Sequence, residues 1–330
     1  MSEVVVEEEG VAVPIRVGEM FQCLVLAPAD RQFGSGLQLR DDLWACDGIP
    51  AEAAEHWEKW LGSIAMRALR RSFVLTLVAK QPKAGVVSDP DLQQRIYRLN
   101  YALSLLGVCG FEQVCHVGGA NEGGTPEVRQ FGRMGRPHYP SRDMGPAALG
   151  LEELKRAVRL AERMALMDRA GPKWRRFRRG IDALNQGLAE RSLQDNRIHQ
   201  FVRALEALVL PEAGKSKKQF VHRCQTFAVA SEEARQVLED AYEVRSRVEH
   251  LHNALDVVSP TSTVEEKERA LYRRARQMDQ LSRFAIRRVL EDDKLLAIAE
   301  DDNRIDEFWK RPENERVAVF GERLDLSKIE

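Results

Sequence analysis

Residues 237–255 read VLEDAYEVRSRVEHLHNAL, and the spacing of their apolar side chains indicates the fold of this part of the chain. The apolar positions recur in steps of four and three residues; they are Val237, Ala241, Val244, Val248, Leu251 and Leu255. An amphipathic helix needs this spacing to bury one stripe against neighbouring helices. We therefore predict one helix over residues 231–256 that packs in a helical bundle.

The same periodicity extends on both sides of this helix. Further helices are predicted over residues 151–172, 174–188, 196–211, 215–230 and about 264–299. The Gly171-Pro172 pair and Pro211 are helix stop signals. We interpret residues 149–330 as an all-α domain.

The first 148 residues have a different pattern. Runs rich in β-branched residues predict strands over residues 3–17, 20–28 and 72–80, and helical spacing predicts helices over 51–71 and 89–107. An α+β domain follows from this mixture. Residues 118–148 are rich in Gly, Pro and Arg without a clear period. We interpret them as a loop or interdomain linker.

Composition limits the classes of partner. The chain has 330 residues and a formal net charge of −1, so nucleic acid binding would need a local basic patch. It has no apolar run of the roughly 18–20 residues that a membrane span requires, and its acidic start is unlike a secretory signal. We expect a cytoplasmic protein with no membrane partner, whose five cysteines are reduced.

Polar residues cluster beside the apolar stripe near the end of the 231–256 helix. On an ideal helix Arg245 and His252 point in nearly the same direction, whereas Arg245 and His250 are about 140° apart. Both border the stripe, where a neighbouring helix or a second protomer would pack. The alternative is an ordinary solvated face, in which Arg245 forms an ion pair with Glu249.

The segment RSRVEH, residues 245–250, resembles the signature of the HEPN superfamily, in which an Arg precedes a His by a short interval. Tyr242 stands three residues before the Arg and Ser246 directly after it. The flanking helices, over about residues 190–310, are similar to the Apea-like branch of that superfamily. The N-terminal domain has no counterpart in this resemblance.

The resemblance implies a metal-independent endoribonuclease that needs no cofactor, acts as a toxin or anti-phage defence effector, and functions as a homodimer or higher homo-oligomer. Arg245 would hold the scissile phosphate of the RNA, and Ser246 would donate a hydrogen bond. His250 would transfer the proton, a task suited to a group that titrates near neutral pH. His252 is an alternative to it. The remaining motif residues would have supporting roles: Tyr242, Glu249 and Asn253.

Two residues depart from the family pattern. Leu251 stands where a small residue is usual, and Glu249 is placed to pair with Arg245. The alternative is therefore a non-catalytic HEPN module for dimerisation or for binding a nucleotide or RNA. By analogy with the family, the N-terminal domain would sense a regulatory protein or other trigger.

Two basic segments are further candidates for RNA contacts. One is KWRRFRRG, residues 173–180, which contributes Arg175, Arg176, Arg178 and Arg179. The other is RQFGRMGRPHYPSR, residues 129–142, which contributes Arg133 and Arg136. The alternatives are a solvated helix face and a plain linker. A zinc site formed by Cys109, Cys115, His116 and His138 is disfavoured because the spacing matches no common ligand pattern, so we predict no metal.

Overall fold

The structure, a computed structural model, describes residues 15–27, 36–47, 51–69, 73–80, 89–107, 113–133, 150–190, 192–258 and 263–329. The chain divides into two compact units, residues 1–161 and 162–330. The division falls within a helix, Leu151–Arg169, whereas the sequence pattern placed a boundary just before that helix. No helix in the described ranges is long and apolar enough to cross a membrane.

The first unit contains an antiparallel sheet. Its strands are β1 (Glu19–Ala27), β2 (Leu37–Arg40), β3 (Leu43–Asp47), β4 (Phe73–Lys80), β5 (Gln113–Asn121) and β6 (Glu127–Arg133). Their order across the sheet is β2-β3-β4-β1-β5-β6. Strand β1 is central, pairing with β4 on one side and β5 on the other. It is buried on both faces, which explains its nearly continuous apolar sequence.

Two helices pack on this sheet, α1 (Ala51–Leu69), which is kinked at Gly62, and α2 (Pro90–Leu105). Trp57 of α1 stacks on Phe21 of β1, with ring centroids 5.8 Å apart. Tyr97 of α2 contacts His116 of β5, and His116 also bonds to Gln22. Because Phe21 and Gln22 are adjacent on one strand, their side chains point to opposite faces. The two helices therefore cover opposite faces of the sheet.

The predicted strands over residues 20–28 and 72–80 and both predicted helices are confirmed as β1, β4, α1 and α2. Residues 3–14 of the first predicted strand lie outside the described residues. Strands β2 and β3 were not predicted, since each spans only four or five residues.

The linker interpretation is wrong for residues 118–133, where β5 and β6 form a hairpin. Three of its glycines, Gly118, Gly119 and Gly132, lie where a side chain would not fit. A Cβ atom on Gly119 would overlap the Glu127 carbonyl, and one on Gly132 would overlap the His116 ring. Glycine-rich sequence here reflects close approach of neighbouring groups. The rest of the predicted linker, residues 134–148, lies outside the described residues.

The remainder of the described chain is predominantly helical. Its α-helices are α3 (Leu151–Arg169), α4 (Arg175–Ala189), α5 (Gln194–Val209), α6 (Ser216–Cys224), α7 (Glu232–Glu249), α8 (Leu255–Val258), α9 (Val264–Glu291), α10 (Asp293–Ile298), α11 (Asp302–Lys310) and α12 (Glu313–Phe320). The predicted helices over residues 151–172, 174–188 and 196–211 are confirmed as α3 to α5, with small differences at their ends. Of the helix predicted over 215–230, only Ser216–Cys224 is helical, as α6. The predicted helix over about 264–299 is two helices that meet at Asp292, whose side chain caps the N-terminus of α10.

Helix α5 packs against α4, α6, α7 and α9, so its apolar residues form much of the core of the second unit. Gly180 of α4 lets that helix approach α5, because a Cβ atom there would lie 2.7 Å from the Ala207 Cβ atom. Between α5 and α9 lies a buried ionic group. Asp279 accepts two bonds from Arg283, at 2.5 and 2.8 Å, and lies 3.7 Å from Arg197.

The prediction of one continuous helix over residues 231–256 is wrong, because α7 ends at Glu249. The Leu251 amide donates to the Val248 carbonyl at 3.1 Å, and the His252 amide donates to the Arg247 carbonyl at 2.9 Å. This pair of bonds is the Schellman motif, which satisfies the last carbonyls of a helix. In this motif the residue that follows the C-cap adopts a left-handed conformation. Leu251 is that residue, with φ 57°.

Candidate functional site

Helix α7 carries the candidate motif, and its sequence explains where the helix begins and which face it buries. Ser231 caps the N-terminus by accepting a bond from the Ala234 amide, and two glutamates occupy the first turn. Val237, Ala241 and Val244 are fully buried, as the apolar stripe predicts. Leu251, the next-to-last residue of that stripe, is 95% exposed because the chain has already left the helix.

The end of α7 exposes two histidines. His250 is the C-cap residue, and His252 follows the left-handed Leu251. Both side chains are exposed, and their ring centroids lie 6.1 Å apart. The angles expected from an ideal helix therefore do not apply, since neither histidine is on a helical turn. The turn brings together two residues that the sequence presented as alternatives.

Arg245 is held by two carboxylates of its own chain. Its Nη1 atom lies 2.6 Å from Glu249 Oε2, and its Nη2 atom lies 3.4 Å from Glu206 Oε2. The guanidinium also lies over the Tyr242 ring, 5.5 Å from the centroid. Among the described residues, no hydrogen bond or ion pair joins it to His250 or His252. The predicted pairing with Glu249 is present, so Arg245 bridges α5 and α7.

Two residues of α5 belong to this cluster and were not predicted from the sequence. His199 Nε2 lies 3.5 Å from Glu249 Oε1, and burial lowers the pKa of this histidine more than the neighbouring Glu249 raises it. Burial likewise raises the pKa of Glu206, although Arg245 opposes this shift. His199 and Glu206 are seven residues apart, so they lie on one face of α5. That spacing was the only sequence signal for them.

The supporting residues of the motif have structural partners. Tyr242 packs against Phe220 of α6, with ring centroids 5.3 Å apart. The Asn253 side chain accepts a bond from the Leu255 amide at 2.9 Å, and its carbonyl accepts one from Arg247. Asn253 thus stabilises the turn into α8. Ser246 is half-buried on α7.

The basic residues at the start of α4 do not form one uniform face. Arg175, Arg176 and Arg179 line a cleft of about 540 Å³ between α4, α5 and the start of α11. Arg178 instead donates to the Gly171 carbonyl at 2.5 Å and is not among the lining residues. Phe177 is fully buried. Of the second basic segment, Arg133 ends β6 and Arg136 lies outside the described residues.

The residues considered for zinc have other surroundings. Cys115 is buried in the core of the first unit, and His116 bonds to Gln22 at 3.0 Å while burial lowers its pKa. Within the described ranges, no group of three or more His, Cys, Asp or Glu side chains is placed to hold a metal ion. Cys109 and His138 lie outside those ranges.

The end of α7 exposes two imidazoles to solvent, and Arg245 of the same helix is already paired with two carboxylates. The resemblance of residues 190–310 to Apea-like HEPN proteins rests on sequence alone. In comparisons with known proteins, this chain matches no family model, no curated protein and no solved structure.

Proposed function

We propose that the helical unit is a metal-independent endoribonuclease in which His250 and His252 of one protomer transfer the protons. The observation that carries this proposal is the exposed pair of rings, whose centroids lie 6.1 Å apart. A general acid and a general base placed near each other by a fixed turn are what cleavage by the RNA's own 2′-OH requires.

The distance suits one phosphodiester. In an in-line transfer, the attacking 2′-oxygen and the leaving 5′-oxygen lie on opposite sides of the phosphorus. A hydrogen bond from an imidazole to each oxygen spans about 2.6–3.2 Å. One histidine removes the 2′-OH proton as the O–P bond forms, and the other protonates the 5′-oxygen as its P–O bond breaks. The products are a 2′,3′-cyclic phosphate and a 5′-OH end.

Arg245 has a conditional role in this reaction. The phosphate and Glu249 compete for the same N–H donors of the guanidinium group. Arg245 therefore stabilises the charge that builds on the phosphate only once the RNA has displaced Glu249. Ser246 adjoins Arg245 and supplies a further hydrogen bond. The defence or toxin setting and a regulatory role of the first unit are carried over from the family resemblance.

A second candidate is a module that binds RNA or a nucleotide without cleaving it. The double ion pair of Arg245 favours this interpretation, since an arginine held by Glu249 at 2.6 Å and by Glu206 at 3.4 Å is not free to hold a phosphate. In that case the histidines serve contact and not catalysis.

The two candidates are separated by incubating the full-length protein with labelled RNA of mixed sequence in EDTA. We expect the wild type to leave cyclic phosphate ends, and His250→Ala and His252→Ala each to lower the rate by about 100-fold or more. Arg235→Ala, an exposed change on the same helix, is the control and should retain the wild-type rate. RNA binding without cleavage would establish the second candidate; cleavage by both histidine variants at full rate would refute the first.

A further inference from the structure

The cleft beside α4 has an unusual distribution of charge. Its charged lining residues are Arg175, Arg176, Arg179, Arg203, Glu206, Glu300, Asp301 and Asp302. Four of these are cationic and four anionic, so the simple sum of charges indicates a neutral cleft. The ion pairs give a different result.

Every carboxylate of the cleft already has a cationic partner. Asp302 receives two bonds from Arg176, at 2.8 and 2.9 Å. Glu300 lies 2.6 Å from Lys173 and 2.7 Å from Arg304, neither of which lines the cleft.

The other two acids are also engaged. Asp301 caps α11 through the Arg304 amide at 3.0 Å and lies 3.5 Å from the Arg304 side chain. Glu206 pairs with Arg245 on the side of α5 that faces α7.

Three cations of the cleft form no ion pair. Among the described residues, Arg175, Arg179 and Arg203 have no carboxylate within ion-pair distance, and Arg203 bonds only to the neutral Gln200 amide, at 3.5 Å. All three are exposed. The cleft thus concentrates three guanidinium groups without ion-pair partners around a concave volume of about 540 Å³, although Arg203 also acts electrostatically on Glu206, which Arg245 shares.

The rest of the lining indicates what such a cleft would recognise. Its uncharged members are Pro172, Gly180, Ala183 and Ala207, which are small and offer no aromatic ring on which a base could stack. Guanidinium groups bind phosphate in bidentate geometry. The volume lies within the range of small-ligand sites.

We propose that this cleft binds the phosphate chain of an oligophosphate ligand through Arg175, Arg179 and Arg203. We take that ligand to be a nucleoside triphosphate, whose consecutive phosphoryl groups offer closely spaced anionic oxygens to the three guanidinium groups; the phosphodiesters of an RNA strand are separated by riboses and form no such chain. The histidine pair at the end of α7 takes no part in this binding, so the site does not depend on the proposed nuclease activity.

The test measures the affinity of the full-length protein for labelled ATP and for a short single-stranded RNA in phosphate-free buffer, each with unlabelled inorganic triphosphate as competitor. We expect triphosphate to displace the ligand that binds. Arg179→Ala and Arg203→Ala should each weaken binding at least tenfold. Tighter binding of ATP than of the RNA supports the proposal, whereas binding of the RNA alone would overturn it.

Arg178→Ala is the matched control, because it removes the same charge from the same segment but from outside the cleft. It should bind as the wild type does. The His250→Ala/His252→Ala double variant should also bind normally, which separates this site from the proposed nuclease. Equal losses in Arg178→Ala and Arg179→Ala, no competition by triphosphate, or no binding of either ligand would each overturn the proposal.

Discussion

At the residue scale, Leu251 determines where the histidines lie. It adopts φ 57°, a conformation that costs a residue with a Cβ atom about 1–2 kcal/mol, and its side chain is 95% exposed. Neither its conformation nor its exposure contributes to stability. The turn persists because it satisfies the final carbonyls of α7, and it places His250 and His252 on either side of the strained residue.

Replacing Leu251 by glycine should therefore stabilise the protein. We expect Leu251→Gly to raise the free energy of unfolding by about 0.5–1 kcal/mol, because relief of strain exceeds the extra entropy of glycine in the unfolded chain. Leu251→Ala, which keeps the strain, is the control and should change little. Urea denaturation followed by circular dichroism measures both; a Gly variant no more stable than the Ala variant would contradict the strain argument.

Asp279 shows how much one buried charge matters. It is 1% exposed and is shared by Arg283 and Arg197, which are also buried. Asp279→Asn replaces one of the two oxygens that accept bonds from Arg283 by an amide donor, which leaves a buried guanidinium group without its partner, and we expect a loss of about 3–5 kcal/mol in the free energy of unfolding.

The control for this change is Glu265→Gln, which breaks an exposed ion pair with Arg269 on the same helix. Exposed pairs contribute at most about 1 kcal/mol, so the midpoint of this variant in guanidinium chloride should remain near that of the wild type. Similar midpoints for Asp279→Asn and Glu265→Gln would show that the buried group is not an important source of stability.

At the scale of elements, the packing of α4 on α5 depends on the absence of side chains. Buried Gly180 and Gly187 of α4 face Ala207 and Phe201 of α5, with no room for a Cβ atom. These glycines weaken α4 as an isolated helix. They are compatible with the structure because close contact between the helices compensates for that weakness.

Gly180→Ala tests this balance. Helix propensity alone would favour alanine by about 1 kcal/mol, but the new Cβ atom would lie 2.7 Å from Ala207 Cβ and 3.1 Å from the Ala204 carbonyl oxygen. We expect a net loss of about 1–2 kcal/mol, as for other overpacked cores. Asn185→Ala, at an exposed position of α4, should be neutral or slightly stabilising; a gain in both variants would indicate loose packing between the helices. Thermal unfolding measures both.

At the scale of the whole molecule, the proposed reaction needs only one chain. The family resemblance leads us to expect a homodimer in which both protomers contribute to one cleft. By contrast, His250 and His252 are already neighbours within a protomer, with ring centroids 6.1 Å apart. A site shared between protomers and a site within one protomer predict different activities when two inactive variants are mixed.

Mixing the His250→Ala and His252→Ala proteins distinguishes them. A site within one protomer cannot be restored, because each chain of the mixture lacks one histidine. We therefore expect the mixture to cleave RNA no faster than the two variants alone, and the wild-type rate per chain to be independent of protein concentration. Recovery of activity on mixing, measured with the same labelled RNA, would show that the site is shared between protomers.

Much of the helical unit could be predicted because helix periodicity is local. Residues three and four positions apart share a face wherever the chain is helical, so the stripes over residues 151–230 marked α3 to α6 before any contact was known. The i,i+4 spacing of Arg245 and Glu249 revealed their ion pair for the same reason. Strands β1 and β4 could likewise be predicted from their runs of β-branched residues.

The sequence by itself thus determined the predominantly helical character of residues 151–329, strands β1 and β4, and the residue types of the candidate site. Tertiary structure decided the rest. Glu206 meets Arg245 across 39 positions of sequence, and no local spacing reveals such a contact. In sequence, the glycines of the β5–β6 hairpin look like those of a loop. Only the pairing of the strands brings the Glu127 carbonyl against Gly119 and the His116 ring against Gly132. The end of α7 at Glu249 carries no Gly or Pro signal, because a left-handed leucine, stable only within the surrounding fold, takes the place of the usual glycine.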